Sequence, residues 1–546
     1  MNRTILFLLL VLLLPFQGFA QPTAEQPKLV VGIVVDQMRY DYIHRFWNKF
    51  SEKGFKRLVN EGFWCKDTRY NYVPTYTGPG HASIYTGTTP SRHGIVSNDW
   101  FERDANEMVY CTGDKKVKSV GCTDSKAGRM SPHRMLAATI GDELKLVTHG
   151  QSKVFGIALK DRGAILPAGH AANAAFWFDS KCGNWISSSY YLNELPTWLQ
   201  MHNNEQHAQK FLKSTWNTYL PIEQYTESLP DNNAFETPFK GKETPTFPYD
   251  FAQLNDKNNG FDILKFSPFG NTLTRLLAEA LIQGEGLGKS KFTDFLAISF
   301  SSPDYVGHRF GISSVEVEDI YIRLDLELAL FFDFVDKYVG NKNVLYFLTA
   351  DHAGVEVPSY QSSLKIPSGY LDYEPLKVKL NALTKQKWGL DSLIIKVENN
   401  QIYFDREVLI QKDIDLEQVQ KFVLMEALNY NGILSAFSAN DLIRNGKYEG
   451  IGEMVKNGFM WKRSGDIAMV PLPNWIEYET KTGTTHGSSY VYDTKVPLLF
   501  WGWKINQGES TQTFFINDIA PTVANFLNLS APNASDGKII PLPLKK

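Results

Sequence analysis

The sequence predicts an α/β fold: a three-layer sandwich with a mostly parallel central sheet and helices on both faces. Two observations predict it. Four short runs are apolar throughout instead of alternately, LVVGIVV at 29–35, FLAISF at 295–300, VLYFL at 344–348 and VPLLFW at 496–501, the habit of strands covered on both sides. Between them lie stretches of helical period, notably 272–282 and 316–339, as crossover connections between parallel strands require.

In chain order, the first twenty residues come first. They join one cation, Arg3, to an apolar run at 5–14, a helix-breaking Pro15 and a small-x-small end at Gly18-Phe19-Ala20, which reads as a signal peptide cut after Ala20. The run is about half of the ~20 residues that span a bilayer. No cysteine follows the cut to take a lipid, and no second long apolar run appears. Residues 21–546 are therefore expected to form one soluble domain, periplasmic or secreted, with no membrane insertion after cleavage. Four cysteines, Cys65, Cys111, Cys122 and Cys182, suit an oxidising compartment and can pair in three ways, with Cys111 to Cys122 the local pairing expected. Their spacing forms no C-x-x-C, so a structural zinc knuckle is not expected. Of 546 residues 43% are hydrophobic, enough for a large core, and the net charge of -3 offers no basic field for nucleic acid. Small-molecule partners and a monomer are the expectation.

The stretch YTGPGHASIYTG at 76–87 reads as a helix start. Pro79 suits a first helical turn, so Thr77 falls at or just before the helix N-terminus, where free amides and the dipole face an approaching anion. The glycines are read as letting substrate approach the backbone. An unassisted threonine hydroxyl is a poor nucleophile, but a divalent ion can lower its pKa enough to make it one; the plain alternative is an ordinary N-cap. His81 and His93 read as structural neighbours of that helix. Residues at about 180–260, rich in aromatics, Asn and Pro, read as a loop-rich cap; Trp177, Tyr190 and neighbouring aromatics could border a site mouth but are expected to be buried. Residues at about 360–480 hold a hairpin-like unit at 392–404 and a helical segment at 416–429, so a small α+β insert is expected there. There is no internal repeat.

Metal-binding side chains follow the buried runs at once. VVGIVVDQ ends at Asp36, VLYFLTADH at Asp351 and His352, and FLAISFSSPDYVGH supplies Asp304 with His308 four residues on; His486 stands in THGSS before the last run. Carboxyl ends of parallel strands share one rim, where ligands bind, and positions i and i+4 share a helix face. Singly each pattern is bland; jointly they give three Asp and three His, enough for two metals with open positions. Imidazoles among the ligands favour zinc, with manganese the alternative.

The motifs VVDQMR, PTYTGPGHASIYTG, HGIVSN, SSPDYVGH, TADHAG and THGSS resemble, in order, those of the alkaline phosphatase superfamily in its branch with a threonine nucleophile. That branch holds the PafA-like phosphate-monoesterases and the nucleotide pyrophosphatase/phosphodiesterases. GIALKDRGAI, with Lys160 and Arg162, resembles the monoesterase version. The resemblance implies an alkaline-phosphatase-like core and two Zn2+ per chain, one on Asp304, His308 and His486, the other on Asp36, Asp351 and His352 together with Thr77. It also implies that Asn98, Lys160 and Arg162 hold the phosphoryl oxygens, and that phosphate monoesters are hydrolysed through a phosphothreonine at Thr77. A dianionic monoester carries one more charge than a diester, so two cations beside it would discriminate between them. The rival readings are a phosphodiesterase or nucleotide pyrophosphatase on the same metal pair, and an inactive relative that only binds phosphate esters. A sulfatase is disfavoured, because the C/S-x-P-x-R context is absent around Thr77.

Overall fold

Strand β1 (Leu29–Val35) is buried along its whole length, because it lies between two parallel neighbours. The computed structural model describes residues 25–444, 446–478 and 480–545; the signal peptide expected at 1–20 lies outside them. With β2 (Val154–Ala158), β3 (Ala174–Asp179), β4 (Asp294–Phe300), β5 (Val344–Thr349) and β6 (Leu498–Gly502), the core order is β6-β5-β1-β4-β2-β3. Five of these six are parallel. Phe63–Arg69 extends the sheet beyond β6, and Asn184–Ser188 beyond β3. Val30, Val31, Ile33 and Val34 are all 0% exposed, each contributing about 1.5–3 kcal/mol by leaving water.

One expectation changes here. The run at 496–501 was read with the parallel strands, yet β6 pairs antiparallel with β5, Thr349 opposite Leu498. Continuous apolar character reports burial on both faces, not direction, and an antiparallel strand inside a covered sheet carries the same signature.

Two helix groups form the outer layers. Pro268–Glu285 packs on Val315–Tyr338, while α1 (Thr77–Thr86) packs on α2 (Asp161–Ala168) and Ile519–Phe526. The aromatic segment near 216–249 is tied to the helix Val315–Tyr338 through Asp319, which accepts from Trp216 Nε1 at 2.7 Å and from Tyr225 Oη at 2.5 Å. Residues 369–477 build separate structure: Ile394–Glu398, Gln401–Phe404, Ile467–Pro471 and Ile433–Ser438 form an antiparallel sheet, covered by Tyr373–Trp388 and Leu416–Leu428. Their own core contains Leu376, Leu380, Ile402, Val419 and Val423. No helix among the described residues is long and apolar enough to cross a membrane.

The cysteine expectation also changes. Cys111 is sealed against Ala82 and Ile95, whereas Cys122 packs near Trp177 beside Cys182. Nearness in sequence misled because residues 113–121 carry the chain away from α1.

Candidate active site

Parallel strands deliver acids to one rim. Pairing Val35 with Phe300 and Val34 with Thr349 brings the ends of β1, β4 and β5 level, so Asp36, Asp351 and His352 emerge together. Strand β4 runs into α3 (Ser302–Phe310), which carries Asp304 and His308 one turn apart. His486 arrives from the other direction. Because β6 is antiparallel, the residues before it lie at the carboxyl rim of β5; a parallel strand would have carried His486 to the far edge.

The side chains converge. Asp304, His308 and His486 place ligand atoms within 4.8 Å of one another, as do Asp36, Asp304 and His352. His308 Nε2 lies 3.1 Å from Asp304 Oδ1, and His352 Nε2 lies 3.4 Å from Asp36 Oδ1 and 3.5 Å from Asp351 Oδ2. Asp304 thus stands between two neighbouring groups. Asp36, Asp351 and His352 are 0% exposed, Asp304 2% and His486 9%.

Whether these residues fit cations can be tested on their hydrogen bonds. Every imidazole aims Nδ1 at a main-chain carbonyl: His308 at Thr484 O at 2.7 Å, His352 at Ala353 O at 2.9 Å and His486 at Thr75 O at 2.7 Å. That leaves three Nε2 atoms free to face inward, the arrangement by which outer contacts orient metal ligands. Burial pulls His486 down to about 3, and burial with His486 alongside pulls His352 well below its ordinary value. Both are neutral. Burial opposes charge on His308 too, but Asp304 outweighs it and the net shift is upward. Among the acids, burial raises Asp36 to about 6 against the pull of Lys160, and burial with Asp36 raises Asp351 well above the usual range. Buried Asp36 Oδ1 and Asp351 Oδ2 have no hydrogen-bond partner. Crowded carboxylates with orphaned oxygens beside neutral imidazoles fit divalent cations with a mixed oxygen and nitrogen set.

Thr77 is the first residue of α1, and Tyr76, not Thr77, is its cap residue, with no side-chain capping bond. The hydroxyl is therefore not spent on capping. Its Oγ1 lies 3.4 Å from His352 Nε2 and 3.5 Å from Arg162 Nη2. Asn98 Oδ1 accepts from the Gly78 N–H at 2.7 Å. Arg162 donates from Nη1 to Tyr110 Oη at 3.0 Å, while its buried Nε has no partner. Lys160 Nζ sits 2.7 Å from Asp36 Oδ2 and 2.5 Å from Asp304 Oδ2. Burial disfavours its charge, but Asp304 and Asp36 hold its pKa above the ordinary value.

Two glycines of this stretch serve packing. A Cβ on Gly80 would stand 2.2 Å from the Asp351 carbonyl oxygen, and one on Gly78 would stand 3.1 Å from Asn98 Oδ1. Helix α1 can thus press its first turn onto the acid-bearing rim. His81 braces the same turn, with Nδ1 on Thr77 O and Nε2 on Ser299 Oγ, both at 2.9 Å. His93 contacts Ser83 Oγ at 3.0 Å, and neither histidine joins the two groups. Trp177 is buried as expected, donating from Nε1 to Ala127 O at 3.0 Å, whereas Tyr190, also expected to be buried, is exposed and donates its hydroxyl to His170 O at 3.0 Å.

Sequence reasoning missed three contributors. Gln37, with φ of 64°, donates Nε2 to Asp304 Oδ1 at 2.8 Å and its backbone N–H to Asp351 Oδ1 at 3.2 Å; its place next to Asp36 was the available signal. Tyr110 and Thr112 both bond Asp161 Oδ1, at 2.8 and 2.7 Å, from a segment without any motif. Beside His308 a cavity of about 760 Å³ opens, lined by Thr237, Arg309, Asp372, Tyr373, Glu477 and Tyr478 among others. Its walls come from distant parts of the chain.

A family model described as Type I phosphodiesterase / nucleotide pyrophosphatase matches residues 30–490. The alkaline phosphatase PafA of Elizabethkingia meningoseptica is 45% identical over 516 residues, 94% of this chain and 94% of its own length. Its wild-type crystal structure matches with a TM-score of 0.91 at 44% identity, covering 94% of this chain and 98% of that one. A variant of PafA with a threonine, an asparagine, a lysine and an arginine replaced matches with a TM-score of 0.90 at 43% identity, covering 94% and 98%. The alkaline phosphatase PhoV of Synechococcus elongatus is 41% identical over 95% of this chain and 93% of its own.

Proposed function

Since the chain belongs to the type I phosphodiesterase/nucleotide pyrophosphatase family and is an enzyme of the alkaline phosphatase kind, we propose that it hydrolyses phosphate monoesters through a covalent phosphothreonine at Thr77, with two zinc ions. The observation that carries this reading is the position of Thr77: an uncapped hydroxyl at a helix start, between His352 and the Arg162 guanidinium. The residue types replaced in the PafA variant recur here, in the same order, at Thr77, Asn98, Lys160 and Arg162.

Each side chain has a task. Asp304, His308 and His486 would hold one zinc, and Asp36, Asp351, His352 and Thr77 would hold the other. When bound, zinc supplies a Lewis acid that makes a hydroxyl more acidic and neutralises charge on phosphoryl and leaving oxygens. Thr77 Oγ1 attacks phosphorus in line with the departing alcohol, and water later releases phosphate from Thr77 along the same line. Asn98, oriented by the Gly78 N–H on its carbonyl oxygen, presents its NH2 to one phosphoryl oxygen. Arg162, steadied by Tyr110 and with Nε unpartnered, receives the others in a fork. Lys160 adds a second cation on the Asp36 and Asp304 side, which favours a dianion over a diester. The alcohol leaves toward the cavity beside His308. The chain is exported and acts outside the cytoplasm, as its first twenty residues suggest.

The test is an acid quench during turnover. Labelled monoester should leave phosphate on the Thr77 peptide, and monoester kcat/KM should exceed that of a matched diester by at least about a hundredfold. Hydrolysis with no label retained would point to direct attack by water, and equal rates would point to a diesterase.

A further inference from the structure

We propose that Cys122 and Cys182 form a disulfide that staples the loop behind the Arg162 anchor onto the edge of the central sheet. The sulfur atoms, with a carboxylate oxygen of Asp179, lie within 4.8 Å of one another, near enough for χ1 rotations to bring them to bonding distance. Both residues are partly exposed, whereas Cys65 and Cys111 are buried. An oxidant can reach the first pair and not the second.

The architecture around the pair asks for a cross-link. Residues 113–131 make an excursion closed at its base, with Asp114 N–H on Arg129 O and Ser131 N–H on Thr112 O, both at 2.8 Å. Its first half is pinned to the sheet edge, where Ser119–Val120 pairs antiparallel with Ser187–Ser188; the turn beyond, at the far end, is held by Lys181 Nζ, which donates to Asp124 O at 2.5 Å, and Trp177 Nε1, which donates to Ala127 O at 3.0 Å. Cys122 stands in that far end, and Cys182 in the turn between β3 and Asn184–Ser188. The base leads directly to Thr112 and Tyr110, which hold Asp161, and Tyr110 steadies Arg162. Fixing the far end therefore restrains the segment on which that guanidinium leans.

A thiolate metal site is the weaker use of the same atoms. Among the described residues only three donors are present, one short of a closed tetrahedral site, and Asp179 Oδ1 already accepts from Lys181 N–H at 2.8 Å. Burial pushes both thiols up, and for Cys182 Cys122 and Asp179 add to the rise. Formation is ordinary exchange with an external disulfide. The Cys122 thiolate attacks one external sulfur and expels one thiolate; the Cys182 thiolate then attacks Cys122 Sγ and expels the second. One S–S bond forms as another breaks, two electrons pass to the external disulfide, and the released thiolates take the two protons.

The experiment uses the full chain made with its own leader. Denatured without reductant it should expose two titratable thiols, not four, and a Cys122–Cys182 peptide should appear in the digest. Reductant should lower the Tm by roughly 5 °C, and a Cys182→Ser variant should be insensitive to it. To separate this proposal from export itself, reduced purified protein is treated with oxidised glutathione, which should give the internal cross-link. Four free thiols after that treatment, stable mixed disulfides, or a bound metal lost in Cys122→Ser would overturn it.

Discussion

The two groups of proposed ligands are held in different ways. Asp36, Asp351 and His352 follow β1 and β5 directly and are 0% exposed, so the ladder of the central sheet fixes them. Asp304, His308 and His486 come from a helix and a loop, and the His308 side chain is 27% exposed beside the cavity. A group on strand ends moves only if the sheet moves, whereas a group on a loop rests on a few hydrogen bonds. The inner group should therefore hold its cation as part of the fold, and the outer group should exchange more readily where the alcohol departs.

Thr77 belongs to the inner group and gives the largest expected effect. Thr77→Ala should lower monoester kcat/KM by about 10³-fold or more, because the proposed covalent path is lost. Both metals should remain, since the other six ligands are intact. Loss of metal together with activity would make Thr77 a structural ligand and erase its separate role.

Metal removal tests the inner and outer division itself. Titration with a mild chelator should remove the outer ion first, cutting activity by roughly a hundredfold while Tm hardly moves. The inner ion should follow, and Tm should fall with it, because ligand binding to the native state is folding energy. Simultaneous loss of both ions would show that Asp304 couples the groups too tightly for the division to hold. Next in size, replacing Lys160 and Arg162 together by Ala should cost monoester turnover about 10²-fold and diester turnover less than about tenfold. Equal losses would mean that these cations position the ester without reading its charge.

The same division governed what the sequence could tell. Asp36, Asp351 and His352 were legible because a buried run followed by an acid has few places to go: the strand end sets the rim, and the rim gathers the acids. Asp304 and His308 were legible from their spacing. The direction of β6 was not, since burial on both faces hides strand polarity, and without it the arrival of His486 at this rim had no geometric reason. Tyr110, Thr112 and the cavity walls were illegible for another cause. They are brought in by segments remote in sequence whose own patterns encode only local structure, so no spacing announces them.

Asp493 joins the two groups and gives the smallest expected effect. Its carbonyl accepts from Ala353 N–H at 2.8 Å, next to His352, and its Oδ2 accepts from Ser488 N–H at 2.8 Å, in the loop that carries His486. Burial pushes its carboxyl up to about 7. With the folded pKa above the unfolded value, the folded state binds the extra proton, so the stability this group contributes is full below about pH 4, falls as pH rises toward 7, and is gone above it. Across that window the slope should be about 1 kcal/mol per pH unit. Asp493→Asn keeps an oxygen for Ser488 and cannot titrate, so urea unfolding at pH 5 and pH 7.5 should show wild type losing more stability than the variant. If the two lose equally, the brace between inner and outer groups is carried by the backbone contact with Ala353 alone, and the groups are tied at one point, not two.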